Sequence, residues 1–154
     1  GSAMSTQADS TAITTSPFAS LRGDHAGIRV PDFAAAVAWY GNTLDFRLLS
    51  QMPLGEKTLA FMAPAADEHF RIELIAGPGC TARPHFDQLS DTHATGGWHH
   101  LCFRVDDVDA AIAELQRRAV RIVSPARAVP ALGIRFAFIA DPWGNLIELM
   151  QAKA

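Results

Sequence analysis

The segment His25-Ala-Gly-Ile-Arg29-Val-Pro-Asp32 returns 75 residues later as His100-Leu-Cys-Phe-Arg104-Val-Asp-Asp107. The same shift places Ile72-Glu73-Leu74 over Ile147-Glu148-Leu149, so the spacing from histidine to glutamate is 48 residues in both copies. Chance could place one His or one Glu in register, but it would rarely place both inside matching apolar neighbours. The chain therefore carries a tandem duplication of one supersecondary unit, with a period longer than solenoid repeats have.

Each copy of the repeat predicts the element order βαβββ. Residues 25–30 and 99–105 alternate and are rich in β-formers, so each copy opens with a strand. Asp32 and Asp107 are typical N-caps of the helices that follow, and Gly41-Asn42 predicts the end of the first helix. Further strands are predicted at 45–50, 57–63 and 69–76, and at 120–123, 134–140 and 145–150.

The remaining segments set the predicted domain organisation. The chain has 154 residues and is 49% apolar, which fits one packed α+β domain. Residues 1–21 are interpreted as a cloning scar followed by a mobile tail rich in Ser, Thr and Ala. Module one is predicted at 22–77 and module two at 97–151, joined by a Gly- and Pro-rich linker at 78–96.

Composition excludes several function classes. Thirteen Lys and Arg stand against sixteen Asp and Glu, which gives a net charge of −3 without a run of like charge. This balance argues against a nucleic-acid or polybasic membrane surface. No apolar stretch approaches the roughly 20 residues of a membrane-spanning helix. Two cysteines cannot build a disulfide framework, so a reducing, cytoplasmic compartment is expected.

The repeated histidine and glutamate suggest a metal site. In the first strand His25 and Arg29 share one face, and Ile28 and Val30 share the other, which is expected to pack on the helices. A titratable residue such as Glu148 within Leu-Ile-Glu-Leu-Met is costly to bury unless it is paired or binds a metal. The cost recurs at four equivalent positions, and two His with two Glu suit a divalent ion. The alternative is two buried His–Glu pairs with a structural role only.

The duplicated βαβββ pattern, the His-x-x-x-Arg-Val openings and the closing segment Asp141-Pro-Trp-Gly-Asn-Leu-Ile-Glu-Leu149 resemble the vicinal oxygen chelate superfamily. That group includes glyoxalase I, methylmalonyl-CoA epimerase, fosfomycin-resistance transferases, extradiol dioxygenases and bleomycin-resistance proteins. The resemblance covers about residues 23–151. It implies that two modules form a curled mixed sheet around a central metal cleft, and that the protein forms a homodimer.

The resemblance also implies roles for individual residues. The family's metal ligands fall on His25, Glu73, His100 and Glu148, which would bind one Zn, Ni, Co, Mn or Fe(II) ion. Glu148 and Glu73 are then the candidate proton-transferring bases. The residues predicted to contact a small-molecule substrate are Arg29, Arg104, Phe136 (aligned with Phe61) and Trp143. A salt bridge that orients a ligand is the alternative role for either arginine.

Three functions remain open from the sequence. The first is a metal-dependent isomerase or lyase of the glyoxalase I or epimerase type, acting on a small carbonyl or thioester compound. The second is an Fe(II)-dependent extradiol-type dioxygenase, and the third is a protein that sequesters a small molecule without catalysis. Loops at 51–57, 77–97 and 124–133 are expected to shape the cleft, but they carry no readable motif.

Overall fold

A computed structural model describes residues 8–152, so the interpretation of the first residues as a cloning scar lies outside the described part. Each module has the order βαβββ. Module one consists of β1 (His25–Val30), α1 (Phe33–Leu44), β2 (Arg47–Leu54), β3 (Lys57–Ala63) and β4 (Arg71–Ala76). Module two consists of β5 (His100–Arg104), α2 (Val108–Arg117), β6 (Arg121–Val129), β7 (Ile134–Ala140) and β8 (Leu146–Ala152). Short 3-10 helices occupy Leu89–Ala94 and Pro130–Leu132.

Each module forms its own four-stranded mixed sheet. The strand orders are β1-β4-β3-β2 and β5-β8-β7-β6, with the first pair parallel and the others antiparallel. This architecture confirms the α+β prediction of two tandem βαβββ modules. The parallel pairing places the first strand of each module beside its last strand, and so brings the repeated histidine and glutamate to neighbouring strands.

The helices pack on one face of each sheet, as the periodicity predicts. Asp32 and Asp107 cap the two helices, and their carboxylates accept the backbone N–H groups three residues on. The main core unites both modules: Ile28 and Val30 of β1 share it with Ile112 of α2. The opposite face of β1, which carries His25, is left toward solvent.

The predicted end of the first helix is wrong. Gly41-Asn42 lies inside α1, which continues to Leu44. Asp45 takes the left-handed conformation there (φ 57°) and its N–H donates to the Tyr40 carbonyl. An Asp can adopt this conformation because its short polar side chain tolerates it. A Cβ at Gly41 would lie 3.6 Å from the Phe46 carbonyl oxygen, an ordinary van der Waals distance, so the glycine neither ends the helix nor is required by its packing.

Two predicted loops are also largely strand. β2 runs to Leu54 and turns into β3 over Gly55, which has φ +57°. β6 runs to Val129, through Pro125 and past register shifts in its pairing with β7. Both strands are mostly exposed and lie at sheet edges, so their sequences carry little apolar alternation.

The sequence alignment of Phe61 with Phe136 is wrong as a structural equivalence. Phe61 pairs with Glu73 across β3 and β4, whereas Glu148 pairs with Phe138. The connection between β7 and β8 (141–145) is shorter than the connection between β3 and β4 (64–70), which shifts β7 by two residues relative to the repeat. An ungapped alignment cannot detect a shift that is confined to one strand.

Within residues 8–152, none of the helices has the length and apolar character needed to cross a membrane. Cys80 and Cys102 are both free thiols.

Candidate metal and substrate site

Both repeated histidines line one large cavity. The cavity has a volume of about 1020 Å³ and is lined by residues of β1, of β5 and of segment 81–86. β1 and β5 are edge strands of their sheets. The cavity therefore lies where the first strands of the two modules meet, with His25 and His100 at its wall.

In module two the predicted ligands form a pair. His100 Nε2 lies 3.1 Å from Glu148 Oε1, and their side chains are 32% and 15% exposed. The ring of Phe138 meets the His100 ring edge-on, with centroids 5.0 Å apart. Because Cys102 lies opposite Glu148 in the parallel pairing, its thiol borders this pair. We call His100 and Glu148 the module-two half-site.

Module one has the same framework. The ring of Phe61 meets the His25 ring edge-on, again with centroids 5.0 Å apart. Glu73 lies opposite Gly27, and a Cβ at Gly27 would be 3.7 Å from Glu73 Oε1. A Cβ at this position would therefore meet the glutamate carboxylate at an ordinary van der Waals distance. We call His25 and Glu73 the module-one half-site.

The residue before each histidine holds its ring. Asp24 Oδ2 lies 2.6 Å from His25 Nδ1 and also accepts from Arg71 Nη2 at 2.6 Å. The hydrogen bond from His25, with a smaller contribution from Arg71, lowers the pKa of Asp24. In module two His99 Nδ1 lies 2.8 Å from His100 Nδ1. Sequence reasoning missed both partners, although the repeat aligns Asp24 with His99.

His99 is held from the segment between the modules. Its Nε2 lies 2.7 Å from the hydroxyl of Thr92, which is on the 3-10 helix Leu89–Ala94. The His93 ring packs beside it, with centroids 5.2 Å apart. Burial lowers the pKa of His99, and the charges of His100, His93 and Arg83 add to that effect. These effects favour the neutral form of His99.

The donor chemistry of the half-sites fits a divalent ion, but the structure brings the predicted ligands together only in part. Imidazole nitrogen and carboxylate oxygen are suitable ligands, and His100 Nε2 and Glu148 Oε1 already lie 3.1 Å apart. Among residues 8–152 no three His, Cys, Asp or Glu side chains form a cluster that would hold a metal ion. His25 and His100 share the cavity wall without completing a four-ligand set.

Comparison with known proteins identifies the family. Residues 22–149 match the model of the glyoxalase/bleomycin resistance protein/dioxygenase superfamily. The chain belongs to this superfamily. It is 32% identical over 133 residues to human mitochondrial methylmalonyl-CoA epimerase, an alignment that spans 85% of this chain and 74% of the other. It is 28% identical to the lactoylglutathione lyase of Salmonella typhimurium over 84% of this chain and 91% of that one.

The solved structures agree on the fold. A glyoxalase family protein from Enterococcus faecalis superposes with a TM-score of 0.69 over 84% of this chain and 97% of its own, at 22% sequence identity. This likeness confirms the glyoxalase-type arrangement of modules.

Cys102 is not a thiolate in this superfamily member. Desolvation of its thiol raises the pKa of Cys102 to about 11, and the neighbouring Glu148 carboxylate adds to the shift. A thiol with this pKa is protonated at neutral pH, and only the thiolate is a good nucleophile or metal ligand.

The four residues predicted to contact the substrate lie in different environments. Arg29 donates from Nη1 to the carbonyls of Val30, Ile75 and Gly77 and from Nη2 to that of Pro78, which ties down the chain after β4. Arg104 is exposed on the His100 face of β5. Phe136 is buried under the Arg127 guanidinium, and Trp143 borders a smaller cavity of about 180 Å³ beside Arg29.

The other histidines lie farther from the half-sites. His69 is almost fully exposed and bonded to Asp67, and His85 is exposed and bonded to Asp87. Of these two, His85 borders the large cavity.

Proposed function

We propose that the protein is a divalent-metal-dependent isomerase or lyase that transfers a proton next to a carbonyl or thioester group. The observation that carries the proposal is the 3.1 Å approach of His100 Nε2 to Glu148 Oε1, beside a large cavity that His100 and His25 both line. His25, Glu73, His100 and Glu148 would hold the ion between the two half-sites. The similarity to an epimerase and a lyase supports a proton-transfer reaction.

The metal would polarise a substrate carbonyl oxygen and lower the cost of removing the adjacent proton. Glu148 takes the role of base, because its carboxylate is mostly buried and lies 3.1 Å from His100 Nε2. Glu73, which belongs to the other module, would return the proton. Cys102 remains neutral beside Glu148 and does not compete as a nucleophile.

The cavity sets the size of the substrate. A volume of about 1020 Å³ lies at the upper end for small-molecule sites and accepts a substrate with a sizeable carrier group. Trp98, which is fully exposed, and Arg83 both border the cavity. A flat aromatic surface and a guanidinium suit an anionic substrate with a planar group, such as a coenzyme A thioester.

We further propose that the protein forms a homodimer. The edge strand β2 is exposed along its whole length, and it carries Leu48, Leu49, Met52 and Leu54 with more than a third of each side chain accessible. Such a row of apolar residues on an unpaired edge is a typical association surface. Light scattering coupled to size exclusion would give twice the chain mass, and Met52→Lys would shift it toward one chain mass.

Elemental analysis of the purified protein tests the metal proposal. We expect about one divalent ion per chain in the wild type, and none in the double variant His25→Ala/His100→Ala. The matched control is His69→Ala/His85→Ala, which removes two exposed histidines outside the half-sites and should keep the ion. Incubation of racemic methylmalonyl-CoA with the enzyme in D2O should then exchange its α-proton, as followed by NMR.

The same measurements decide between the alternatives. Bound iron with oxygen uptake on catechols would favour the dioxygenase. Equal absence of metal in the wild type and the double variant, even after incubation with Zn²⁺, Co²⁺ and Ni²⁺, would contradict the proposal and favour a sequestering protein.

A further inference from the structure

The contacts of Thr92 fix the direction of a hydrogen-bond chain. The Thr92 hydroxyl lies 2.5 Å from the Leu89 carbonyl oxygen and 2.7 Å from His99 Nε2. A hydroxyl has one proton, and a carbonyl oxygen only accepts. The hydroxyl proton therefore goes to Leu89, and the Thr92 oxygen accepts from an N–H at His99 Nε2.

The direction of these hydrogen bonds also determines the tautomer of His100. A neutral imidazole with its proton on Nε2 has a lone pair on Nδ1. His99 Nδ1 lies 2.8 Å from His100 Nδ1, so the latter must supply the proton of this bond. A neutral His100 is then protonated on Nδ1 and unprotonated on Nε2, which carries a lone pair.

The nitrogen that carries the lone pair lies close to an acceptor. His100 Nε2 and Glu148 Oε1 are 3.1 Å apart, and two such electron-rich atoms repel each other at this distance unless a cation or a proton is shared between them. We propose that Thr92 and His99 form a positioning relay that keeps the proton of His100 on Nδ1, and so presents Nε2 to a cation shared with Glu148. This proposal rests on the proposed function in one respect, namely that the shared cation is a divalent metal ion.

Module one reaches the same result with a different residue. Asp24, which the repeat aligns with His99, can only accept when ionised, so His25 donates to it from Nδ1 and leaves Nε2 free. Asp24 is anchored in turn by Arg71, as His99 is anchored by Thr92. Partners of this kind on the second ring nitrogen are what orient metal-binding histidines in general.

The relay gives the segment between the modules a role at the site. Thr92 lies on the 3-10 helix Leu89–Ala94, inside the predicted linker, and Gln88 and Asp91 hold this helix through a capping box. The position of the linker thereby decides which ring nitrogen carries the proton in His100, the candidate metal ligand of module two. Module one needs no such element, because Asp24 and Arg71 belong to β1 and β4 or adjoin them.

The test is the position of the proton on His100 in the metal-free protein. Two-bond ¹H–¹⁵N correlation spectra at a pH of about 8.5, where imidazoles are neutral, distinguish a protonated ring nitrogen from a bare one. We expect protonated Nδ1 and bare Nε2 in the wild type. Thr92→Val and His99→Phe should move the proton to Nε2, and Thr92→Ser should retain the wild-type pattern.

Zn²⁺ titration by calorimetry provides the second measurement. Thr92→Val and His99→Phe should weaken Zn²⁺ binding by about 10- to 100-fold, the usual effect of losing such a partner, and Thr92→Ser should not. His93→Phe is the matched control, because it changes the ring that packs on His99 without removing a bond of the relay. Circular dichroism of each variant checks that the fold is retained.

The outcomes separate the relay from the metal proposal. A wild-type His100 with its proton on Nε2, or a pattern that Thr92→Val leaves unchanged, would overturn the relay. A wild type with the expected pattern that binds no Zn²⁺ would support the relay and contradict the metal-dependent function.

Discussion

The two half-sites present the same pair of residues in different surroundings. In module one His25 is held by the carboxylate of Asp24, and Glu73 lies opposite Gly27. In module two His100 is held by His99, and Glu148 lies opposite Cys102. The strands and the edge-on phenylalanine contacts are equivalent. The duplication thus preserved the candidate ligands and the aromatic support, while the residues that orient them diverged.

The connections that lead into the glutamate strands differ as well. In module two Asp141 is buried and accepts from the N–H groups of Trp143 and Asn145, from the Asn145 amide and from the Tyr40 hydroxyl. In module one the connection 64–70 is largely exposed. Glu148 therefore projects from a strand whose start is held by a buried carboxylate, whereas Glu73 follows an exposed loop that Arg47 holds through bonds to Pro64, Asp67 and Glu68. We infer that module two supplies the more rigid half of the site and module one the more adaptable half.

The largest expected effect distinguishes the two carboxylates. Glu148→Gln should lower kcat for α-proton exchange by about 10²- to 10⁴-fold, because a positioned base contributes that much. Glu73→Gln should cost roughly ten times less, because its carboxylate is less constrained. The rates are read from NMR of methylmalonyl-CoA in D2O. Equal losses would contradict the division into a rigid and an adaptable half.

Loss of the module-one partner tests whether Asp24 is equivalent to His99. Asp24→Asn should weaken Zn²⁺ binding by about 10- to 100-fold, because a neutral amide holds the His25 ring less well. Calorimetric titration gives the affinity. Asp67→Asn is the control, since it removes the same kind of Asp–His contact at the exposed His69. Unchanged affinity in Asp24→Asn would show that the two half-sites are oriented by different means.

Tyr40→Phe tests the hydrogen bonds of Asp141 that hold the start of β8 in module two. This change removes the bond from the Tyr40 hydroxyl to Asp141 Oδ2 (2.9 Å) and leaves a buried carboxylate oxygen short of a donor. The free energy of unfolding should fall by about 1–3 kcal/mol. Urea denaturation at neutral pH measures it.

The loss in Tyr40→Phe should depend on pH. Burial raises the pKa of Asp141, and the bond from Tyr40 partly counters that rise. A raised folded-state pKa means that stability is highest with the carboxyl protonated and falls as pH rises through that pKa. Without Tyr40 the pKa rises further, so the difference between variant and wild type should be largest at neutral pH and shrink on acidification. Thr43→Val, which removes another hydroxyl from α1, should show a pH-independent loss.

The smallest effect tests which phenylalanine of β7 matches Phe61. Phe138→Leu should weaken Zn²⁺ binding by about two- to five-fold, because the edge-on contact with His100 is lost. Phe136→Leu, at a similarly buried position, should lower stability alone. The reverse result would restore the pairing of Phe61 with Phe136 that the ungapped repeat gives.

Features that depend on neighbouring residues could be predicted from the sequence, and features that depend on distant contacts could not. The modules, the helix caps and the face of β1 that carries His25 were predictable, because local alternation and capping depend on nearby residues. The end of α1 was not, since Gly41 and Asn42 stay helical and the chain leaves the helix at Asp45, which takes the left-handed conformation. The lengths of β2 and β6 were not predictable either, because exposed edge strands lack the alternation of apolar and polar residues that marks a strand.

The sequence by itself determined the duplication and the order of elements, and it singled out His25, Glu73, His100 and Glu148 as candidate ligands, because a repeat preserves spacing along the chain. Tertiary structure alone decided that His100 meets Glu148, that Phe138 replaces Phe136 beside it, and that Thr92 reaches His99 from the linker. These contacts join segments whose separation in space depends on strand register and loop length. A change of two residues in one connection alters them without leaving a trace in the local pattern.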